Sequence, residues 1–399
     1  MSMTVTSDKL DPTPLIGERV RGLQEYAPEP LEEVARRLGL TEGALIKLDA
    51  NENPYGPTKH TLDVLSGQLH GIHRYPDPIS RRLRAALGEH LGVDPGNIVV
   101  GNGSDELIDL ILRLFRPGLS GESEGGGVRQ VIDCPPTFGM YAFYAVTNDM
   151  DLVEIPRDAD FNVDVEGIVR LCTDDPQPRV LFLSSPNNPD GQLLPDDALE
   201  RLLALPLILV LDEAYVDFSR ASRVGLVKEH SNLIVLRTFS KWAGLAGLRV
   251  GYGVFPDALM TALYRLKSPY NVNGLAQIAA LATLEDMAAA QANVEKIVAE
   301  RQRLLEKLRE ISFLRVLPSE ANFLLCRIVA PEGAGHFLKC PAPGMAEIRT
   351  AMEARGVILR YFNRPGLDDC IRITVGTPTQ DQSLLMVLRK LDEEVKNGR

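Results

Sequence analysis

Short β-rich segments alternate with segments of helical periodicity from about residue 97 of this chain. Several of the short segments are apolar at every position, which is typical of strands whose two faces are both covered. The pattern predicts an α/β fold in which helices cover both faces of a mostly parallel sheet. The candidate strands span residues 98–100, 129–134, 179–183, 207–211, 233–237 and 249–254.

The pattern changes near residue 274, where residues 274–311 predict a nearly continuous helix. Strand and helix candidates beyond it predict a second, smaller α+β domain. Two segments rich in Pro and Gly, at 117–127 and 330–344, are expected to be surface loops or insertions. We therefore expect an N-terminal arm that is part of the small domain, a large domain and a C-terminal small domain, over residues 1–45, 46–275 and 276–399.

Composition and charge argue against several classes of protein. Lys and Arg total 43 against 54 Asp and Glu, a net charge of -11 without a basic block, so nucleic acid is not an expected partner. The longest apolar run, 202–211, is too short to span a bilayer, and the N-terminus lacks a secretory pattern, so we expect a cytoplasmic protein without a membrane span. The five Cys and six His residues show no disulfide or metal-ligand spacing, so no metal site is predicted.

One lysine lies in a loop between hydroxyl-bearing and glycine residues. The segment 238–249 reads TFSKWAGLAGLR and places Lys241 directly after a candidate strand. A lysine can form a Schiff base when its amine is neutral, which burial and neighbouring cations favour. A single loop lysine is usually solvated, so the surrounding residues decide between the two interpretations.

A carboxylate ends the apolar strand candidate 207–211. Asp212 lies where open α/β sheets bind ligands, and a carboxylate there could pair with a protonated pyridine nitrogen. Such a pair keeps the ring cationic, as pyridoxal phosphate requires when it acts as an electron sink. Tyr215, three residues later, could direct its hydroxyl toward the same ring. The alternatives are a helix-capping aspartate and a packed aromatic side chain.

The sequence GNGSDE at 101–106 joins a candidate strand to a helix. Free backbone N–H groups at that helix start, at Gly103, Ser104 and Asp105, could hold a phosphate, although a simple capped helix start is the alternative. The segment is not a dinucleotide fingerprint, because its third glycine is missing. Further phosphate contacts could come from Thr238, Ser240 and Arg249.

Two other loops offer a rigid amide and an aromatic ring. Asn188 lies in SPNNPDG at 185–191, where prolines restrict the backbone, and could donate to a phenolic oxygen. Phe138 lies in PTFGMY at 136–141 and could stack on a planar cofactor. An ordinary turn and a packed core residue are the alternatives.

Taken in chain order, these features resemble the fold type I aminotransferases, which use pyridoxal 5'-phosphate. Further segments make the chain similar to the histidinol-phosphate aminotransferases of that fold, over about residues 15 to 395. The resemblance implies transfer of an amino group between L-glutamate and imidazole-acetol phosphate by a homodimer. The segments that carry it are LDANENPYG at 48–56, YPDP at 75–78, PYNVN at 269–273, SEANF at 319–323 and RITVGT at 372–377.

The resemblance also implies individual roles. Lys241 would bind the cofactor and move the proton, with Asp212 on the pyridine nitrogen, Asn188 and Tyr215 on the phenolic oxygen, and Phe138 stacked on the ring. Tyr55 would reach the partner subunit's site. The cofactor phosphate would be held by the 103–105 turn with Thr238, Ser240 and Arg249, and the substrate by Tyr26, Asn188, Arg360 and Arg372. The sequence departs from the family at Asp190, where Thr is usual, at Trp242, and in the apparent insertion at 330–344.

Other activities of the same scaffold remain open from the residues alone. One is an aromatic amino acid aminotransferase, and another is a decarboxylase of a phosphorylated amino acid. A non-catalytic regulator that binds the cofactor is disfavoured, because the short N-terminal arm leaves no room for a DNA-binding module.

Overall fold

The computed structural model describes residues 10–23, 29–116, 128–330 and 342–397. Their strands form one sheet of seven strands and one of five. In chain order the strands are β1 (Ile46–Leu48), β2 (Ile98–Gly101), β3 (Gln130–Asp133), β4 (Asp151–Glu154), β5 (Arg179–Ser184), β6 (Leu207–Asp212), β7 (Leu233–Thr238), β8 (Gly251–Val254), β9 (Leu314–Val316), β10 (Phe323–Ile328), β11 (Val357–Tyr361) and β12 (Cys370–Thr374).

The α-helices of the described residues precede, connect or follow these strands. They are α1 (Glu18–Arg21), α2 (Leu31–Leu38), α3 (Lys59–Gln68), α4 (Arg81–Leu91), α5 (Gly103–Phe115), α6 (Met140–Thr147), α7 (Val165–Asp174), α8 (Asp196–Leu203), α9 (Asp257–Leu266), α10 (Gly274–Glu285), α11 (Met287–Arg309), α12 (Met345–Glu353) and α13 (Pro378–Lys396).

The large sheet has the strand order β2-β8-β7-β6-β5-β3-β4, and only its β8 runs antiparallel to its neighbours. Alternate residues of one strand enter different cores: Leu209 and Leu211 pack on one face and Val210 on the other. Each face is covered by helices, which explains why several of the strands are largely or continuously apolar. The predicted α/β fold with a mostly parallel, doubly covered sheet is confirmed.

The direction of these strands places several chemically active residues at one edge. Strands β2, β3, β5, β6 and β7 are mutually parallel, so their carboxyl ends lie on the same side of the sheet. The loops that follow them carry the motifs singled out in the sequence. Open α/β sheets bind ligands in the crevice at this edge.

The small sheet has the order β1-β11-β12-β10-β9 and packs against α11 and α13. Its edge strand β1 pairs in parallel with β11, Ile46 opposite Val357. Residues 46–48, which the sequence analysis grouped with the large domain, therefore lie in the sheet of the small unit. The expected continuous helix 274–311 is broken at Asp286, and β4 was not foreseen. The loops at 117–127 and 331–341 lie outside the described residues.

Candidate active site

Asp212 ends β6 at the carboxyl edge and is 3% exposed. Its two oxygens accept different hydrogen bonds: Oδ1 from the backbone N–H of Ala214 at 3.0 Å, and Oδ2 from the Tyr141 hydroxyl at 2.8 Å. Burial raises its pKa to about 6, against the lowering effects of the Tyr141 hydrogen bond and of Lys241. The carboxylate is thus fixed in orientation and is ionised at neutral pH.

Lys241 follows β7, and its amine lies among charged groups in the same crevice. Nζ donates to the carbonyl oxygen of Ala50 at 3.0 Å and lies 5.9 Å from the centroid of the Tyr215 ring. Burial, together with the positive charges of Arg372 and Arg249, lowers its pKa to about 8. A substantial fraction of this amine is therefore neutral near physiological pH, unlike that of a solvated lysine.

The Tyr215 hydroxyl is held by Asn51, a residue to which the sequence analysis gave no role. Asn51 Nδ2 donates to Tyr215 Oη at 3.0 Å, and the Thr374 hydroxyl donates to Asn51 Oδ1 at 3.1 Å. Asn51 has a left-handed backbone with φ of 56°, a conformation that asparagine tolerates better than most side chains. This network connects the end of β6 to the small sheet.

An anion cradle lies at the start of α5, where the first N–H groups of the helix have no intrahelical partner. Arg249 Nη2 donates to Asp105 Oδ2 at 2.8 Å, and a Cβ at Gly103 would lie 2.7 Å from the same nitrogen. The Thr238 hydroxyl donates to Ser240 Oγ at 2.9 Å. The backbone nitrogen of Ser104 lies close to Gly251. A Cβ at residue 251 would lie only 2.6 Å from that nitrogen, so glycine permits the close approach. N–H groups, hydroxyls and a guanidinium in one place suit a phosphate.

Arg372 joins the two units at the crevice. Its Nη1 donates to Asn188 Oδ1 and its Nη2 to the carbonyl oxygen of Asp49, both at 2.5 Å. The guanidinium lies 5.3 Å from the centroid of the Phe323 ring. Arg360 is the cross-strand partner of Arg372 and is half-buried. Two arginines thus lie opposite each other on the neighbouring inner strands β11 and β12 of the small sheet.

Asp190, a departure from the family pattern, has a structural explanation. It is fully buried, accepts a hydrogen bond from the Asn187 side chain, and accepts another from Gln192 N at 2.9 Å. Asn187 Oδ1 in turn accepts from the Thr137 hydroxyl at 2.8 Å. Burial raises the pKa of Asp190. The aspartate therefore connects the loop of Asn188 to the loop of Phe138.

The remaining expected residues differ in what surrounds them. Phe138 packs edge-on against Tyr141, with ring centroids 5.5 Å apart, and beside it a Cβ at Gly139 would lie 3.2 Å from Arg364 Nη2. Tyr55 is half-buried, with Lys296 Nζ 5.0 Å from its ring centroid. Tyr26 lies outside the described residues.

The residues brought together fit a phosphorylated pyridine aldehyde. A buried amine of lowered pKa suits imine formation, and a buried carboxylate suits a pyridine nitrogen. The cradle at α5 suits a phosphate. Sequence reasoning missed Tyr141 and Asn51, although both lie inside quoted motifs, because a tyrosine in an apolar helix and an asparagine in a turn also have ordinary structural roles.

Residues 10–23, 29–116, 128–330 and 342–397 contain no cluster of three or more His, Cys, Asp or Glu side chains suited to a metal ion. Within the same ranges, every helix is too short or too polar to cross a bilayer.

Comparison with known proteins shows similarity over nearly the whole chain. The family described as aminotransferase class I and II matches residues 44–388. A histidinol-phosphate aminotransferase of Roseiflexus castenholzii is 47% identical over 385 residues, 95% of this chain and 98% of the relative. A chloroplastic one of Nicotiana plumbaginifolia is 42% identical over 92% of this chain and 84% of the relative. The crystal structure of the Sinorhizobium meliloti enzyme of that name with pyridoxal 5'-phosphate has a TM-score of 0.80 and 25% identity, over 99% of this chain and 100% of that one.

Proposed function

Because the chain belongs to the aminotransferase class I and II family, and within it to the histidinol-phosphate aminotransferases, we propose that it transfers an amino group between L-glutamate and imidazole-acetol phosphate. The products are L-histidinol phosphate and 2-oxoglutarate, in a step of histidine biosynthesis. The cofactor is pyridoxal 5'-phosphate. The observation that carries the proposal is a buried amine of lowered pKa, Lys241, in one crevice with the buried carboxylate of Asp212.

When bound, pyridoxal phosphate supplies an aldehyde that condenses with amines and a ring that withdraws electrons. Lys241 would hold the cofactor covalently, and its amine is placed to carry the proton that the reaction moves at the substrate carbon bearing nitrogen. A pKa of about 8 suits both directions of proton transfer at neutral pH. Asp212 would hold the proton on the pyridine nitrogen, and Tyr215 and Asn188 would hold the phenolic oxygen. Phe138 would pack against the ring.

The substrates share anionic groups, and the chain has guanidinium groups for them. Arg372 and Arg360 lie on adjacent strands at the crevice, and Arg372 already contacts Asn188. A guanidinium binds phosphate and carboxylate alike through paired hydrogen bonds. One site can therefore accept the phosphate of histidinol phosphate and a carboxylate of glutamate in turn.

A homodimer is part of the proposal, with Tyr55 completing the neighbouring site. It is supported by an exposed patch of Leu69, Ile72, Tyr75 and Tyr270, whose exposures are 52%, 69%, 82% and 43%. The rings of Tyr75 and Tyr270 stack with centroids 4.7 Å apart. Large apolar and aromatic groups exposed together are typical of an association surface. A cytoplasmic location stays a prediction.

Single-turnover rates of the cofactor-loaded protein test the proposal. We expect histidinol phosphate to bleach the visible absorption of the cofactor faster than phenylalanine or threonine phosphate does. A preference for phenylalanine would support an aromatic aminotransferase instead. Release of carbon dioxide from threonine phosphate would support a decarboxylase.

A further inference from the structure

Tyr141 is a buried polar side chain that the proposed reaction does not use. It is fully buried at the start of α6, with its ring stacked on Phe182 at 5.0 Å and edge-on to Phe138 at 5.5 Å. Its hydroxyl donates to Asp212 Oδ2 at 2.8 Å. Because two aromatic contacts fix the ring, the hydroxyl has one well-defined direction.

The charges around this hydrogen bond come from several elements. Burial disfavours the Asp212 anion, and Asp105 on α5 adds a like charge. Lys241 after β7 and the Tyr141 hydroxyl on α6 favour the anion. Tyr141 itself is surrounded by Asp212, Ser184 and Asp133, and burial first, then Asp212, raises its pKa well above the ordinary value. Tyr141 therefore remains a neutral hydrogen-bond donor throughout the working pH range.

We propose that Tyr141 is a positioning residue that acts through Asp212 and keeps the proton shared by Asp212 and the pyridine nitrogen on the nitrogen. The inference rests on the proposed function in that it requires pyridoxal phosphate in the crevice. A hydrogen bond donated to a carboxylate makes it less basic. Without Tyr141 the buried carboxylate would take the proton, and the ring would lose the positive charge that makes it an electron sink.

The pH dependence of the cofactor spectrum tests this without measuring activity. The visible absorption changes when the nitrogen that joins cofactor to Lys241 gains or loses a proton. A positive charge on the ring disfavours a second positive charge on that nitrogen. A less protonated ring therefore raises the midpoint pH of the absorption change. In Tyr141→Phe we expect a rise of about one pH unit, a tenfold change in proton affinity, and a fall in kcat of roughly 10- to 100-fold.

Tyr264→Phe is the matched control. Tyr264 also donates a hydrogen bond from a partly buried hydroxyl, to the carbonyl oxygen of Ile98 at 3.0 Å, but belongs to α9 and does not contact Asp212. We expect this control to keep the wild-type spectral midpoint. A Tyr141→Phe protein that binds cofactor with the wild-type midpoint would overturn the inference. A wild-type protein that binds no pyridoxal phosphate would instead overturn the proposed function.

Two more measurements separate a positioning role from a structural one. In the Asp212→Asn background, Tyr141→Phe should add no further shift of the midpoint, and an undiminished shift would show that Tyr141 does not act through Asp212. If Tyr141→Phe does not fold, 3-fluorotyrosine at position 141 keeps the hydroxyl. The chemical shift of its fluorine should change with pH at the same midpoint as the visible absorption. A chemical shift that does not change across that transition would contradict the inference.

Discussion

Arg360 and Arg372 lie directly opposite each other in the antiparallel pair of β11 and β12. Cross-strand neighbours project on the same face of a sheet, so two positive side chains share one side of the crevice. Like charges directly opposite each other destabilise a sheet. An anion bound between them would remove that cost. The pairing is therefore suited to binding a phosphate or carboxylate.

Replacing Arg360 with alanine is expected to raise KM for histidinol phosphate about 30-fold, from loss of a charge-assisted pair of roughly 2 kcal/mol. Phenylalanine, without a phosphate, should be affected much less. Arg372→Ala should impair every substrate, because Arg372 also contacts Asn188 and the backbone of Asp49. Steady-state kinetics with both amino donors give the comparison.

Arg355→Ala is the control for that experiment, since Arg355 is an exposed arginine just after α12. It should leave both KM values unchanged. Unaltered histidinol phosphate kinetics in Arg360→Ala would remove Arg360 from the site, and equal losses with both substrates would assign it a structural role.

The lowered pKa of Lys241 predicts how the cofactor-free protein takes up pyridoxal phosphate. Only the neutral amine attacks an aldehyde, so the rate of appearance of the visible absorption should rise with pH around a midpoint near 8. An ordinary lysine would give a midpoint near 10.4. Stopped-flow absorbance over this range measures it.

Lys241→Ala should bind cofactor only non-covalently, so that borohydride reduction no longer attaches it to the chain. Lys228→Ala, a change at a lysine whose side chain is 77% exposed, should react as the wild type does. Covalent attachment in the Lys241→Ala protein would assign the linkage to another residue.

Asp212→Asn should still bind cofactor but lose turnover by about 10²-fold or more, near 2.7 kcal/mol, because a neutral amide does not hold the pyridine nitrogen protonated. Asp133→Asn is a suitable comparison, since Asp133 ends β3 and burial raises its pKa to about 7. That change should lower turnover by less than about tenfold. Single-turnover absorbance separates the two, and an unchanged rate in Asp212→Asn would exclude Asp212 from the reaction.

The sequence alone predicted that several motifs lie together at the carboxyl edge of the large sheet. This prediction does not require knowledge of the strand order. Asp212 and the 101–106 turn each follow a continuously apolar segment, and Thr238 follows the largely apolar segment LIVLR. Parallel strands place their carboxyl ends together whatever their order. Lys241 follows a strand at the same edge, but its expected role depended on the combined motifs and the family resemblance, because a single loop lysine is usually solvated. The local apolar pattern and the rule for parallel strands were sufficient to place these motifs at one edge of the sheet.

Contacts that depend on tertiary register could not be predicted in this way. Arg360 and Arg372 lie opposite each other because of the register in which β11 and β12 pair. Neither segment specifies that register alone. Tyr141 reaches Asp212 from 71 residues away. Strand β1 belongs to the small sheet because it pairs with β11. Its three residues are too few to show a periodicity that would predict a strand. Such relationships arise only when distant elements pack.

The exposed patch of Leu69, Ile72, Tyr75 and Tyr270 predicts a dimer in solution. Ile72→Asp should weaken it, because a charge in an apolar contact must be desolvated, and should lower activity if Tyr55 serves the partner's site. Met386→Asp alters a residue that is 49% exposed on α13 and should leave the mass unchanged. Light scattering with parallel assays tests this, and a fully active monomer would contradict it.

Asp381 on α13 predicts an unusual dependence of stability on pH. It is fully buried, and its Oδ1 accepts a hydrogen bond from Gly376 N at 3.0 Å. Burial first, and then the neighbouring Glu300, raise its pKa well above the ordinary value of 3.8. The folded chain thus keeps a proton that the unfolded chain releases. The free energy of unfolding should fall as pH rises above 3.8 toward the raised pKa, by at most about 1.4 kcal/mol per pH unit.

Asp381→Asn keeps the acceptor for Gly376 and removes the ionisation, so it should be more stable than the wild type at pH 8 and lose that advantage near pH 4. Asp392→Asn on the same helix should be less stable than the wild type at pH 8, and this difference should disappear mainly as pH falls below the ordinary value of 3.8. Burial raises the pKa of Asp392, but hydrogen bonds from Lys396 and Ser312 lower it overall, so the carboxylate stabilises the fold at neutral pH. Urea unfolding of the three proteins between pH 4 and 8 measures how these differences in the free energy of unfolding change with pH. Parallel pH profiles for wild type and Asp381→Asn would show that Asp381 is ionised in the folded chain.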